Sequence, residues 1–596
     1  MTTDQNYQQI YRVGGMLDAG FVGQITYTIS LDQVYDELDI HFSFDKRLYS
    51  ESDVTPELID RLQTLCTAKY DAPTYPVEEF RQTILHEMKT EIHTMAELND
   101  DFIGCIHRQL TDRHMLYTKE FTSDGCLAQD TFSGVLKVTV LVFNVLLDNT
   151  QYTLTVSGHP VGQGVIAPNY NLMDTVKTAA GNAGASNAAG SADTSCDAES
   201  APASAVATAG SSDVSGAGSA AMAGDSSVSG AGSAATAGDS STTGSSSAGN
   251  TVTASTRFKR LELHNHTVES DGSLTCQELT EYLAADHVDA FAITDHNTTS
   301  GQKKIEQLLE EKHYPISLIR GMEYTTYFGH ILCLNLSKYV PWNSIDQHRP
   351  ELLFEAAREK GALVGIAHPF SYGDPFARGC RFEMTVSDYS KVDFIEIFNN
   401  PEPLHEVNER GTNLWMSLIF SGYQITATSG MDLHNRAKLA GCYATYIEGK
   451  NGGNIASELD TAIHTHRTWV SKGALLLTEV LPETNELLLT FTDAHKPGFS
   501  VPKTAQVVLK GKDKTFTTSV SLDKPVRVSL NQLSGTDPII PLLYEAASDS
   551  CVNAAAASTS CSNTADASSA AGQLKEIDAL SAIEGLLCVS PVLYRD

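Results

Sequence analysis

The sequence predicts an α/β chain organised round a distorted seven-stranded (β/α)7 barrel, with an α+β domain before it and a β-rich domain after it. Three observations carry this reading. Between residues 257 and 475, short apolar runs alternate with amphipathic stretches, the pattern of strands joined by crossover helices. Residues 166–256 form an Ala/Gly/Ser/Thr tract almost free of large apolar side chains, with "VSGAGSAA" at 214 and again at 228. Such a tract has too little to bury to offset the entropy of ordering it, so it separates domains as a linker. The apolar runs of the alternating region also end repeatedly in histidine or carboxylate, and the C-terminal ends of strands are where (β/α) barrels place their chemistry.

Taken in order, residues 1–165 mix strand-like runs ("GQITYTISL", "ELDIHFSF", "GVLKVTVLVFNVLL", "YTLTVSG") with helical stretches ("PELIDRLQTLCTAKY", "VEEFRQTILHEMKTEIHTMAELNDD"). In 257–475 the strands are "RLELH", "DAFAIT", "ISLIRG", "HILCLNL", "ALVGIAH", "DFIEIF" and "YQITATS". The helices there include "TCQELTEYLAADH", "GQKKIEQLLEEKH" and "PELLFEAAREK". Residues 476–596 are β-rich and are interrupted at 546–572 by a second low-complexity tract.

At 596 residues the chain needs several hydrophobic cores. Its 73 acidic against 41 basic residues give a formal charge of -32, which disfavours an extended nucleic-acid surface but leaves room for a nucleotide in a local pocket. The N-terminus has neither a basic segment nor a long apolar one, and no apolar run is long enough to span a bilayer, so a cytoplasmic protein without a membrane partner is expected. Eleven scattered cysteines with no CxxC pair argue against a disulfide framework and against a cysteine zinc site.

The chemistry-bearing residues cluster at strand ends: His264, His266 and, five residues on, Asp271 in "LELHNHTVESDG"; Asp295 and His296 in "AITDH"; Glu323 in "IRGMEY"; His368 in "GIAHP"; Glu396 in "IEIFN"; Asp432 and His434 in "TSGMDLH". His330 in "YFGHILCL" begins a strand instead. Singly, each is ordinary: a buried strand-end histidine is usually a satisfied core residue and a lone aspartate a helix cap. A second HxH, His464 and His466 in "AIHTHRTW", lies in an apparent helix where i and i+2 point apart, and reads as plain surface. The joint occurrence of the first set points to metals. Imidazole and carboxylate suit zinc, manganese or iron, and water held between such ions is acidified into a nucleophile, so hydrolysis is the expected chemistry.

The order HxH, then Asp, TDH, Glu, His, His and DxH resembles the PHP (polymerase and histidinol phosphatase) superfamily of metal-dependent phosphoesterases, over roughly residues 258–475. "GMEYTTYFGH" looks most like the carbaryl-hydrolase-like (CehA/McbA) branch. The resemblance implies a distorted PHP barrel, two to three divalent ions, and nine ligands. One ion would take His264, His266, Asp432 and a bridging Glu323, a second Glu323, His330 and His368, and a third Asp271, His296 and His434. Glu323, Asp271 and His434 would be catalytic. Asp295 is expected to orient His296 from behind, and Glu396 to pack or support rather than ligate. Leu433, where relatives carry a small residue, is expected to narrow the pocket. Arg436 and, by a small margin over Arg378, Arg381 are the expected phosphate contacts.

A small phosphomonoester, nucleotide or oligonucleotide end is therefore the expected substrate. The alternatives are a carboxylic or carbamate ester at the same centre, or a non-catalytic metal-binding assembly module. Because loop closure entropy grows only logarithmically with length, excising residues 180–250 and 549–571, with a Gly/Ser bridge at each cut, is expected to leave metal content and turnover unchanged. Limited proteolysis should cut first inside the same tracts, leaving a resistant fragment that begins near residue 255.

Overall fold

The computed structural model describes residues 7–70, 76–161, 208–209, 256–345, 348–399, 401–533, 537–546 and 583–594. Most of the two expected linker tracts, residues 162–207, 210–255 and 547–582, lies outside these residues. The two-residue strand Thr208–Ala209 pairs on Ile25 and Thr26.

The N-terminal region is an antiparallel sheet in the order Gln8–Leu17, Thr150–Pro160, Gly23–Phe44, Phe132–Asn144, Glu91–Leu98 and Asp101–Ile106. Two helices, Pro56–Tyr70 and Val77–Glu87, accompany it. "GQITYTISL" and "ELDIHFSF" are one strand, Gly23–Phe44. Its first half pairs with Phe132–Asn144 and its second with Thr150–Pro160, with an irregularity after Leu31.

One expectation is overturned: "EIHTMAEL" is not the end of a helix but the strand Glu91–Leu98. The helix stops at Met88, whose backbone is extended. Beyond it the chain runs between Phe132–Asn144 and Asp101–Ile106, where pairing on both sides overrides the helical preference of Glu, Met, Ala and Leu.

The central region follows the expected alternation of strands and helices, but the result is a mixed α/β sheet and not a ring of parallel strands. The ladder runs Thr426–Ser429, Phe394–Phe398, Leu363–Ile366, Gly329–Leu334, Ser317–Thr326, Ala290–Ile293, Thr256–Glu262, Ala444–Lys450 and Thr468–Ser471. Gly329–Leu334 is antiparallel to both neighbours, because only Tyr327 and Phe328 join it to Ser317–Thr326 and so short a turn cannot return a strand in parallel. Among the described residues no backbone ladder joins Thr426–Ser429 to the far side.

Side chains make the approach instead. Thr445 Oγ1 accepts from Ser429 N at 2.9 Å and donates to Ser429 O at 3.0 Å, and Thr468 Oγ1 donates to Ala427 O at 2.7 Å. The sheet therefore curls, and the C-terminal ends of its parallel strands converge. The ladder continues past residue 475 through Leu586–Val589, Ile540–Glu545, Thr504–Lys510 and Thr515–Ser521. A separate three-stranded sheet holds Ala474–Leu481, Glu486–Asp493 and Val526–Ser529. Among the described residues no helix is long and apolar enough to cross a membrane, and the described cysteines are free thiols.

The N-terminal and central regions share one core, in which Met95, Cys105, Leu141 and Phe143 pack with Met322, Tyr324, Ile331 and Trp342. Polar pins reinforce it: Tyr327 donates to Gly23 O at 2.8 Å, Gly125 N donates to Glu269 Oε2 at 3.0 Å, and Thr298 Oγ1 donates to Gly125 O at 2.9 Å. Gly125 has φ +80°, and a Cβ there would sit 2.3 Å from Cys105 O, so the docked loop requires glycine. Phe143→Ala should cost about 3–5 kcal/mol, with both regions losing protection together in denaturant-dependent hydrogen exchange.

Candidate metal centre

Two short segments set the frame. Asn265 bridges Leu433 in parallel, with His266 N donating to Leu433 O at 3.0 Å and Leu433 N to His264 O at 3.2 Å. In extended chain i and i+2 share a face, so His264 and His266 project together, and Asp432 and His434 meet them. Asn265 points the other way and donates to Ala292 O at 3.0 Å. Leu433 does not narrow the pocket: it is 2% exposed and packs in the core with Leu274, Leu279 and Phe291 behind the centre.

Glu323 and His330 enter from the two strands of the Thr326–Gly329 hairpin, His296 follows Ala290–Ile293, and His368 follows Leu363–Ile366. His368 (φ +23°) and Asp432 (φ +49°) hold left-handed backbone, each at a cost of about 1–3 kcal/mol that the surroundings must offset.

The nine expected ligands form one contiguous cluster: five imidazoles meet the fully buried Glu323, and Asp432, Asp271 and His434 join it through those histidines. Glu323 Oε1 lies 2.9 Å from His330 Nδ1 and 3.0 Å from His368 Nε2. Its Oε2 lies 3.2 Å from His264 Nε2, 3.3 Å from His266 Nε2 and 2.9 Å from His296 Nδ1. Asp432 Oδ1 is 3.0 Å from His266 Nε2 and 3.4 Å from His264 Nε2. Asp271 Oδ1 is 3.3 Å from His434 Nε2 and 3.6 Å from His296 Nε2.

Eight of these residues form three overlapping sets able to hold an ion: His264, His266, Glu323 and Asp432; His266, Asp271, His296 and His434; and His296, Glu323 and His330, where His296 stands in the place expected for His368. The donors fit divalent cations on a direct observation. His264 Nε2, His266 Nε2, Asp271 Oδ1, Glu323 Oε2 and Asp432 Oδ1 are buried and face one another, yet none is aligned in a hydrogen bond. Atoms at such spacing without hydrogen-bond geometry are what ligands round a common ion look like, and buried polar atoms left alone are costly.

The charges respond to one another. Burial would push the Glu323 carboxyl up, but His264, His330 and His296 hold it well below the ordinary range. Asp432 is held down by His264 and His434 against its own burial, and Asp271 by His296, His107 and His434. Burial would lower His434, yet Asp271 and Asp432 raise it to about 10.

Glu396 supports rather than faces the cluster: its two oxygens lie 3.1 and 3.2 Å from His264 Nδ1, and Oε2 also accepts from His368 N and Asn399 Nδ2, each at 3.0 Å. A carboxylate behind a ligating histidine fixes its tautomer and ring. Gly430 makes room for this pair, since a Cβ there would fall 2.4 Å from His264 Cβ and 2.7 Å from Glu396 Oε1. Asp295 plays its part toward His266, not His296. It accepts from Thr267 N and Ser270 Oγ, each at 2.7 Å, and Ser270 Oγ lies 3.5 Å from His266 Nδ1. Adjacent residues of extended chain face opposite ways, which turns Asp295 from His296.

The guanidinium of Arg436 sits over the Tyr282 ring at 5.6 Å, and that of Arg381 over Tyr70 and Phe370 at 5.4 and 5.3 Å. Arg378 pairs with Asp374 at 3.0 Å. His464 ends the helix Ile455–His464, exposed beside Asp460, and His466 lies just beyond it, 2.9 Å from Thr426 Oγ1. Both are remote from the cluster's contacts.

One neighbour was missed. His107, from the N-terminal region, brings Nε2 to 3.4 Å from Asp271 Oδ2 and stacks on His296 with ring centroids 4.1 Å apart. It directly follows the strand Asp101–Ile106 in "GCIHRQL", so the strand-end signal used for residues 257–475 was present there as well.

Glu396→Gln is expected to weaken metal binding about 10–100-fold with melting temperature little changed, by calorimetric titration with Mn²⁺ or Zn²⁺, whereas Gly430→Ala should weaken binding and also lower the melting temperature, its overpacking costing about 1–3 kcal/mol. His464→Ala should leave the titration unchanged.

Known proteins resemble parts of this chain. Residues 7–160 match a family described as "Family of unknown function (DUF6669)". An uncharacterized protein of Methanocaldococcus jannaschii is 30% identical over 112 residues, 19% of this chain and 58% of its own length. A 5'-3' exoribonuclease of Haemophilus influenzae is 36% identical over 141 residues, 22% of this chain and 50% of that protein. The chain thus spans little more than half the length of these relatives. Among solved structures, a two-domain protein of Bacteroides vulgatus "containing predicted PHP-like metal-dependent phosphoesterase" aligns at 16% identity and TM-score 0.30, over 48% of this chain and 90% of that one. An amidohydrolase of Chromobacterium violaceum aligns at 15% identity and TM-score 0.21, over 29% and 87% of the two chains.

Proposed function

We propose that the chain is a metal-dependent phosphoesterase of the PHP type, acting on a small phosphomonoester, a nucleotide or the end of an oligonucleotide. The observation that carries this is the cluster of buried, unpaired ligand-type atoms that includes Glu323 Oε2. Sequence similarity to proteins named 5'-3' exoribonucleases supports a phosphate ester at a nucleic-acid end. The acidic chain fits recognition of that end in a pocket rather than along a surface.

Two to three divalent ions, of the manganese, zinc or iron class, would be held by the nine residues, with Glu323 common to two of them. Bound there, they supply an acidified water and positive charge for the departing oxygen. The chain's own groups set where the substrate enters. Side-chain exposure is 35% at His434, 28% at Asp271 and 21% at Asp432, against 0–6% for the other six, so these three form the open rim. Glu323 sits at the closed base, its side chain 0% exposed among five imidazole neighbours. Arg436 and Arg381 make no ion pair among the described residues, and their heads are the proposed phosphate contacts.

A second reading, hydrolysis of a carboxylic or carbamate ester, follows from the carbaryl-hydrolase-like sequence. The position of both arginines over aromatic rings rather than against the cluster favours it.

The test uses full-length protein reconstituted with Mn²⁺, Zn²⁺ or Fe²⁺ and offered 5'-phosphorylated oligonucleotides, nucleotides, phosphomonoesters and carboxyl esters. Phosphate-ester cleavage that is lost with chelator, and falls by at least about 100-fold in Glu323→Gln, above the usual cost of losing an outer partner, is the expected result. Carboxyl-ester turnover alone would replace the first reading by the second. Folded protein that keeps fewer than one ion per chain under metal-replete conditions would remove both.

A further inference from the structure

Beside Asp271 the N-terminal region presents three side chains that the proposed hydrolysis does not use. Glu91 and His93 lie two apart on the strand Glu91–Leu98 and so share a face. His107 follows Asp101–Ile106, the strand paired antiparallel to it. The three are 6%, 0% and 5% exposed. One ligand-type atom from each lies within 4.8 Å of the other two. His93 Nε2 is 3.1 Å from Glu91 Oε1, and the His93 and His107 rings have centroids 4.0 Å apart.

Two atoms in this group are unaccounted for. Nδ1 of His93 and Nδ1 of His107 are both buried without a hydrogen-bond partner. Leaving buried nitrogens unpaired costs about 1–3 kcal/mol each, and native proteins rarely do so. The nearby cation does not answer them, because Arg113 donates through Nε to Thr94 Oγ1 at 3.2 Å and lies over Phe42 and Phe44. Thr94 adjoins His93 and points to the opposite face of the strand. Gln109 steadies the group, with Nε2 donating to His107 O at 2.9 Å and to Glu91 Oε1 at 3.4 Å.

We propose that Glu91, His93 and His107 hold a further divalent cation, of the class that takes imidazole and carboxylate donors, in the N-terminal region and outside the nine-residue centre. His107 then belongs to both: one ring nitrogen serves this ion while Nε2 faces Asp271 Oδ2 at 3.4 Å. Asp271 in turn presents Oδ1 to His296 and His434. A histidine–carboxylate contact of this kind holds a ligand in register, so this ion would brace the third metal position from behind. The proposal does not depend on which ester the centre cleaves.

The test is metal content by mass spectrometry of full-length protein after saturation with Zn²⁺ or Mn²⁺ and desalting. His93→Gln and Glu91→Gln, neither in the nine-residue set, are each expected to lose about one ion per chain relative to the parent. The double variant His264→Ala/His266→Ala should keep an ion that disappears when His93→Gln is added. Equal metal content in the parent, His93→Gln and Glu91→Gln, with melting unchanged, overturns the proposal. Should either variant fail to fold, anomalous scattering from metal-saturated crystals of the parent decides: a peak among Glu91, His93 and His107 supports the site, and its absence overturns it. Loss of the hydrolase reading would appear separately, as missing ions at the nine-residue set with this one retained.

Discussion

A single carboxylate, fully buried and in contact with five imidazoles, is the constraint to which the rest of the central region answers. A lone carboxylate charge at that depth is untenable unless cations or strong donors surround it. The fold supplies the imidazoles from three separate strand ends and one hairpin, and three of them have a backing group: Glu396 behind His264, the Asp295–Ser270 pair behind His266, Thr325 beside His296. The left-handed backbone at His368 and Asp432 is the local cost of aiming those side chains inward. The convergence of the sheet, through threonine hydroxyls rather than a closing ladder, is what makes the spacing possible.

The N-terminal region is part of this arrangement and not an appendage. Its Phe143 and Met95 are in the same core as Tyr324, next to Glu323, and its loop at Gly125 is clasped by Glu269 and Thr298 from segments adjoining His266 and His296. A rigid junction of this kind lets a histidine from a different region stand 3.4 Å from Asp271. On loosely tethered domains that contact would not persist.

Much of the centre was legible because its signals are local. HxH on extended chain, TDH at a strand end and Glu323 just before a tight hairpin each announce their geometry within a few residues. What escaped reading was set by distant partners. Glu91–Leu98 carries the helix formers Glu, Met, Ala and Leu and becomes a strand because Phe132–Asn144 and Asp101–Ile106 lie on either side of it. With that segment assigned to a helix, the shared face of Glu91 and His93 could not be seen. The parallel barrel was over-read for the same reason. Alternation of strands and helices is visible in sequence, whereas the inverted strand Gly329–Leu334 and the continuation of the ladder beyond residue 475 depend on pairing. Asp295 shows the limit at closest range: its adjacency to His296 in sequence placed it on the opposite face in space.

The strand Leu586–Val589 occupies an inner slot of the long ladder, between Thr468–Ser471 and Ile540–Glu545. During synthesis the metal-binding strands are complete well before that slot is filled, so the emerging chain carries two unpaired edges of the kind that recruit other strands. Contacts spanning more than a hundred residues close slowly. The low-complexity tract at 546–572 lies in sequence between Ile540–Glu545 and Leu586–Val589, so the strand that fills the slot is translated after both of the strands it joins. For this protein the hazard of misassembly lies in the sheet's last vacancy, far from the histidines.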